Sequence, residues 1–215
     1  MKALVSRILR GFNAEIARSA PWELDEFRQM GLNAATLNYK DLQVARAVAA
    51  PGHISVEEAR FLGELTRRSD PSRPIIEIGT LFGYSTLVMV QHKAPGQRLV
   101  TVDNYSWNPL GIAAEAHRVA TRAVLRDACE KWNVEVVVQD KDRFYETYRG
   151  EPPGLFFCDA DHSYEATLKD LTWARDRGCP LICGHDYYLR GDAGVARAVQ
   201  ALGGARELKG SLFLL

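Results

Sequence analysis

Between Ile75 and Thr86 the chain reads Ile-Ile-Glu-Ile-Gly-Thr-Leu-Phe-Gly-Tyr-Ser-Thr: an apolar run carrying one carboxylate, then two glycines, then two hydroxyls. A strand of this kind must turn sharply to start a helix, and Gly79 can take the positive φ such a turn needs while leaving bare backbone for a ligand to approach. The first N–H groups of the helix beyond have no partner inside it. Ser85 and Thr86 fall beside those groups, so the turn is suited to a nucleotide-like cofactor. Two later apolar runs also end in acids and imidazoles, at Asp159-Ala-Asp-His162 and Gly184-His-Asp186. Together they place a reaction site next to a cofactor site.

The 215 residues suit one domain able to bury a core without staples. With 27 basic and 27 acidic residues, the chain has no bulk attraction for nucleic acid or anionic membrane, and no basic stripe suited to a nucleic-acid backbone. Cys129, Cys158, Cys179 and Cys183 form no Cys-x-x-Cys pair, and two of them lie in apolar runs. They read as reduced structural thiols of a cytoplasmic protein. Arg7 and Arg10 interrupt the amino terminus too early for a signal peptide, and no apolar run is long enough to span a bilayer. Leu4, Ile8, Leu9, Phe12 and Ile16 recur at helical spacing instead. Residues 1–72 therefore read as a helical extension packed on the core or on a second copy of the chain, a commoner use of this pattern than lying on a membrane surface. Within it, Ser55-Val-Glu-Glu58 has capping-box spacing and predicts a helix from Val56 to Arg68.

From residue 73 to 215 the periodicity changes to strand-length apolar runs separated by amphipathic stretches, the pattern of βαβ units with a parallel sheet. Strands are expected at Ile75 to Ile78, Arg98 to Val102, Val134 to Val138, Leu155 to Cys158, Leu181 to Cys183 and Ser211 to Leu215. Helices are expected around Ile112 to Val124, Leu168 to Ala174 and Val195 to Leu202. Right-handed crossovers bring Gly79, Asp103, Asp140, Asp159 and Asp186 to one edge of the sheet. A dinucleotide turn needs a second glycine where Leu81 stands, which argues against a pyrophosphate and hence against a nicotinamide-dependent oxidoreductase. Asp103, closing the second strand, can accept both hydroxyls of a ribose. A tight turn that binds nothing is the plain alternative.

Glu77-Ile-Gly-Thr80, Gly83-Tyr-Ser-Thr86 and Asp103 resemble the class I S-adenosylmethionine-dependent methyltransferases, over nearly everything after Ser55. More narrowly, Asp159-Ala-Asp-His-Ser-Tyr-Glu165, Gly184-His-Asp-Tyr187 and Gly194-Val-Ala-Arg-Ala-Val199 look like bacterial small-molecule O-methyltransferases, the macrolide-sugar and catechol types among them. The resemblance implies a Rossmann-like α/β fold: a seven-stranded, mostly parallel sheet with helices on both faces, closed by an antiparallel hairpin. It also implies S-adenosylmethionine over the first two strands and a divalent ion, usually magnesium, near the acceptor hydroxyl. Carried over, Glu77, Gly79, Thr80, Gly83, Ser85 and Asp159 serve the cofactor, Asp103 its ribose and Asp140 its adenine. Asp159 and Asp186 match the ion-binding carboxylates, with Asp161 and His185 as second candidates, and His162 matches the base. The catechol pattern has an asparagine ligand where this chain has Tyr187.

The chemistry suits these residue types. A neutral alcohol attacks a sulfonium methyl poorly unless it loses its proton as the bond forms, and a histidine with a pKa of about 6.5 can take that proton. The expected activity is O-methylation of a small hydroxylated metabolite, a sugar or an aromatic compound; the alternative is a catalytically inactive S-adenosylmethionine- or nucleotide-binding protein. Each residue also has a bland role: Asp159 or Asp161 as a helix cap, His162 as an exposed loop residue, His185 as a hydrogen-bonded histidine under the sheet edge. Trp107-Asn-Pro109, Tyr187-Tyr188 and the helices before Ser55 are candidates to line an acceptor pocket, with 187–191 as a lid hinged at Gly191 and Gly194.

Overall fold

The computed structural model describes residues 54–107, 113–188 and 193–215. The expected helices before residue 54, Pro109, Ile112 and the Gly191 hinge lie outside these residues.

Helix α1 (Val56–Arg68) has the bounds its capping pattern predicts: the Ser55 hydroxyl accepts from the Glu58 N–H at 3.3 Å, and the Ser55 N–H donates to Glu58 Oε2 at 2.7 Å. After it the chain alternates. Strand β1 (Ile75–Ile78), helix α2 (Tyr84–His92), β2 (Leu99–Asp103), α3 (Ala114–Lys131), β3 (Val134–Val138), α4 (Lys141–Thr147), β4 (Leu155–Cys158), α5 (Tyr164–Asp176), β5 (Ile182–Gly184) and α6 (Gly194–Ala201) lead to a closing hairpin of β6 (Glu207–Lys209) and β7 (Leu212–Leu214). The seven strands form one sheet in the order β3-β2-β1-β4-β5-β7-β6. β1 to β5 are parallel, and β7 runs antiparallel to both β5 and β6. This is the Rossmann-like class I methyltransferase architecture.

Two elements differ from the reading by periodicity. Strand β6 has one partly buried apolar residue, Leu208, between exposed Glu207 and Lys209, so its apolar pattern is too sparse to read. Helix α4 spans only seven residues, with Phe144 and Tyr145 adjacent rather than three or four apart.

The pleat sends alternate residues of each strand into separate cores. Ile75, Leu99, Leu155 and Phe157 pack beneath α1, α2 and α3. Ile76, Val100, Phe156 and Phe213 pack beneath α4, α5 and α6. The inner parallel strands are covered on both faces, which explains why they read as unbroken apolar runs. β1 pairs with β2 on one side and β4 on the other, so the strand order reverses there and a crevice opens at their carboxyl ends. No helix among the described residues is long and apolar enough to cross a membrane.

Candidate active site

A cavity of about 830 Å³ occupies that crevice. Its floor is the turn after β1, where Gly79 (φ +95°), Leu81 (φ +48°) and Gly83 (φ +91°) alternate in left-handed conformations. At Gly79 the requirement is absolute, because a Cβ would lie 1.8 Å from the Asp159 carbonyl oxygen at the end of β4. Asp103 holds the turn: its Oδ2 accepts from the Thr80 and Leu81 N–H groups, both at 2.9 Å, and its Oδ1 from Tyr105 N–H at 2.7 Å. Three of its roughly four lone-pair positions are thus engaged with backbone. From the other side the Leu81 carbonyl accepts from Thr121 Oγ1 at 2.6 Å and from the buried His117 ring at 3.0 Å.

Glu77 is fully buried under the turn, where Ser85 and Thr86 each donate a hydroxyl to it at 2.5 Å. Burial pushes its carboxyl up to about 7, against the pull of those hydroxyls. Glu77 and Gly83 do not line the cavity; Gly79, Thr80, Ser85, Asp103, Asp140 and Asp159 do. Glu77 braces the start of α2, and Gly83 lets Leu125 approach it, since a Cβ there would come within 2.7 Å of Leu125 Cδ2. Asp140 caps α4, accepting from Asp142 N–H at 2.9 Å, and faces the end of β2 across the crevice, 3.5 Å from Asn104 Nδ2.

Beside the turn Asp159, His162 and Asp186 converge: one ligating atom from each lies within 4.8 Å of the others. His162 Nε2 is 3.1 Å from Asp186 Oδ2 and 3.6 Å from Asp159 Oδ1. The neighbouring Asp159 raises the imidazole pKa, although burial opposes it, and the charge of Asp186 adds to the rise. Asp186 stands at φ +60°, an uncommon conformation that aims its side chain back into the cavity. The loop carrying His162 is pinned by α6: a Cβ on Gly194 would meet the His162 carbonyl at 2.3 Å.

The two secondary ion candidates stand outside this group. Asp161 accepts from Ser163 N–H at 2.9 Å, shaping the turn before α5, while Ser163 itself caps the helix, which leaves Asp159 free of capping. His185 is buried, with Nε2 3.2 Å from Glu58 Oε1 and Nδ1 3.5 Å from Asp186 Oδ1. Burial lowers the His185 pKa, but hydrogen bonds to Asp186 and Glu58 overcome that and hold it at about 10. Burial likewise pushes Glu58 up, yet hydrogen bonds from His185, Ser55 and Ser211 bring it to about 2. His185 thus pairs with carboxylates on both sides at the sheet edge, and Glu58 lies behind it, a contact its capping-box spacing gave no reason to expect.

Of the acceptor candidates, Trp107 lines the cavity rim and is 61% exposed. Tyr187 turns away: its ring packs toward Phe213, and its phenol oxygen accepts from Gln200 at 2.8 Å. Lys141 also lines the cavity, paired at 2.6 Å with the buried Asp170 of α5.

A family model described as a methyltransferase domain matches residues 76–187, from β1 through the turn after β5. The chain belongs to this family, the class I S-adenosylmethionine-dependent methyltransferases, and is related to bacterial small-molecule and catechol O-methyltransferases. Among named relatives, the catechol O-methyltransferase of Mycobacterium tuberculosis is 31% identical over 121 residues, 56% of this chain and 50% of that protein. The chain thus spans about half the length of the curated relative it matches. Among solved structures, cofactor-bound Rv0187 from MTB superposes with a TM-score of 0.60 at 25% identity, covering 87% of this chain and 85% of that one. The O-methyltransferase from Bacillus cereus in complex with SAH shares the fold at a TM-score of 0.57 and 24% identity, over 86% of this chain and 84% of that one. TomG from Streptomyces achromogenes, in complex with SAM, does so at 0.56 and 21%, over 77% and 76%.

Proposed function

We propose that the protein transfers a methyl group from S-adenosylmethionine to a hydroxyl of a small metabolite, with His162 as the base. One observation carries this reading: Asp159, His162 and Asp186 converge in the same cavity that the turn at Gly79 lines. The cofactor suits that turn because Gly79, Thr80 and Leu81 line a cavity of about 830 Å³, within the size of small-molecule sites. When bound, S-adenosylmethionine supplies an electrophilic methyl group. In this reading Asp103 fixes the turn and offers its remaining acceptor capacity to the ribose, and Asp140 stands at the adenine end. Glu77 supports the methionine portion from below.

His162 Nε2 takes the hydroxyl proton, and the imidazolium so formed is stabilised by the carboxylates of Asp186 and Asp159 at 3.1 and 3.6 Å. The same carboxylates fit a divalent cation, which when bound lowers the hydroxyl's pKa and orients its oxygen. Their spacing favours a second reading in which His162 is the third ligand; two carboxylates and an imidazole suit manganese better than magnesium. The free thiols suit a cytoplasmic setting.

Methyl transfer from labelled S-adenosylmethionine to a panel of catechols and sugars tests the activity. His162→Ala should leave S-adenosylhomocysteine affinity intact and lower turnover by about a hundredfold to ten-thousandfold. Loss of Mn2+ affinity in that variant assigns His162 to the ion. Binding of S-adenosylmethionine with no transfer to any acceptor overturns the catalytic reading.

A further inference from the structure

We propose that Glu58 is a positioning residue of the site: from the first turn of α1 it holds the His185 imidazole with Nδ1 toward Asp159 and Asp186. The spacing of that carboxylate pair then depends on a helix outside the matched region. This rests on the reading of those carboxylates as the reaction centre.

A glutamate that only completes a capping box needs one carboxylate oxygen and remains on the surface. Glu58 is 6% exposed and uses both oxygens. Oε2 accepts from Ser55 N–H at 2.7 Å, whereas Oε1 accepts from Ser211 N–H at 2.5 Å and lies 3.2 Å from His185 Nε2. The hairpin turn between β6 and β7 is fitted around the same oxygen. Gly210 takes φ +57°, and a Cβ there would stand 2.5 Å from Oε1.

His185 has its backbone fixed by the bond from its N–H to the Cys158 carbonyl at 3.1 Å, so what remains to be set is the ring. Glu58 on one side leaves Nδ1 facing Asp186 Oδ1 at 3.5 Å and Asp159 Oδ2 at 3.9 Å on the other. One ring nitrogen is thus, alongside His162 Nε2, a common neighbour of two like-charged carboxylates and offsets part of their repulsion. Orienting partners behind ligating groups commonly matter this much: losing one costs about tenfold to hundredfold in ion affinity.

The test compares full-length Glu58→Gln with Ser55→Ala, which removes the capping hydroxyl and keeps the Ser55 N–H that Glu58 Oε2 accepts from. Three readouts apply: long-range 1H–15N spectra of the histidine rings without ligand, calorimetric titration with Mn2+, and titration with S-adenosylhomocysteine. Glu58→Gln should shift the His185 ring signals and weaken Mn2+ by about tenfold to hundredfold, with S-adenosylhomocysteine affinity held within about threefold. Ser55→Ala should leave the ring signals and Mn2+ affinity at wild-type values. Unchanged His185 signals in Glu58→Gln overturn the proposal, as does a Ser55→Ala variant that reproduces its effects. A wild-type protein that takes no Mn2+ removes the ion reading, while the ring signals still decide the role of Glu58. If Glu58→Gln does not fold, Gly210→Ala displaces the same carboxylate and should shift the same His185 signals; their persistence there overturns the proposal.

Discussion

Asp186 holds a left-handed backbone at φ +60°, which costs most residues roughly 1–2 kcal/mol but which asparagine and aspartate tolerate through local hydrogen bonding. Asp186→Asn and Asp186→Ala both remove the charge, so a difference between them isolates the backbone. The alanine variant should be less stable than the asparagine variant by about 1 kcal/mol in urea denaturation; equal midpoints would mean the strain is absent. Glu77 makes a separate prediction. Its folded pKa of about 7 stands above the ordinary 4.5, so folding favours the protonated form. Its contribution is fully present below pH 4.5 and is lost as pH rises through about 7. Relative to Glu77→Gln, which cannot ionise, wild-type stability should fall from pH 5 to pH 8 by up to about 3 kcal/mol. Parallel stability curves for the two proteins would show that Glu77 does not titrate there. At this scale the carboxylates and His162 were legible because strand ends at one sheet edge must converge. Glu58 was not, because a local rule already accounted for it and its partners His185 and Ser211 lie more than a hundred residues away.

The turn after β1 is an element held from two sides, by Asp103 at its N–H groups and by His117 and Thr121 at the Leu81 carbonyl. Removing the carboxylate leaves the Thr80 and Leu81 N–H groups unpaired beside the cavity and frees a turn that is strained at Leu81. Asp103→Ala should therefore weaken S-adenosylhomocysteine by at least about tenfold and lower stability by about 1–3 kcal/mol. Calorimetry and urea titration on one preparation read both, and unchanged affinity would remove Asp103 from the cofactor's support. The glycines and the acid announced this turn in the sequence. The tethers from α3 did not, because a buried histidine and threonine on a helix look like ordinary core residues. Elements were legible in proportion to their burial. Helix α1 and the inner strands carry strong patterns, whereas β6 is exposed on both sides of Leu208 and α4 is too short for its period to register.

The described residues form a sheet with two separate cores, and its topology brings the candidate cofactor turn and the acidic cluster together at one reversal of strand order. That much was legible, since continuous apolar runs alternating with amphipathic helices leave few other arrangements. The closing hairpin followed from family likeness, not from the residues of β6. Independence of the two cores can be tested on adjacent residues of β1, because Ile75 packs in one layer and Ile76 in the other. Each Ile→Val change deletes one buried methylene and should cost about 0.5–1.5 kcal/mol. If the sheet insulates the layers, the double variant should lose the sum of the single losses to within about 0.5 kcal/mol, although the two residues are neighbours in sequence. Urea midpoints at constant slope measure all three proteins. A coupling above about 1 kcal/mol would mean that strain passes through β1 from layer to layer, and the cofactor turn that β1 feeds would then respond to packing on either face.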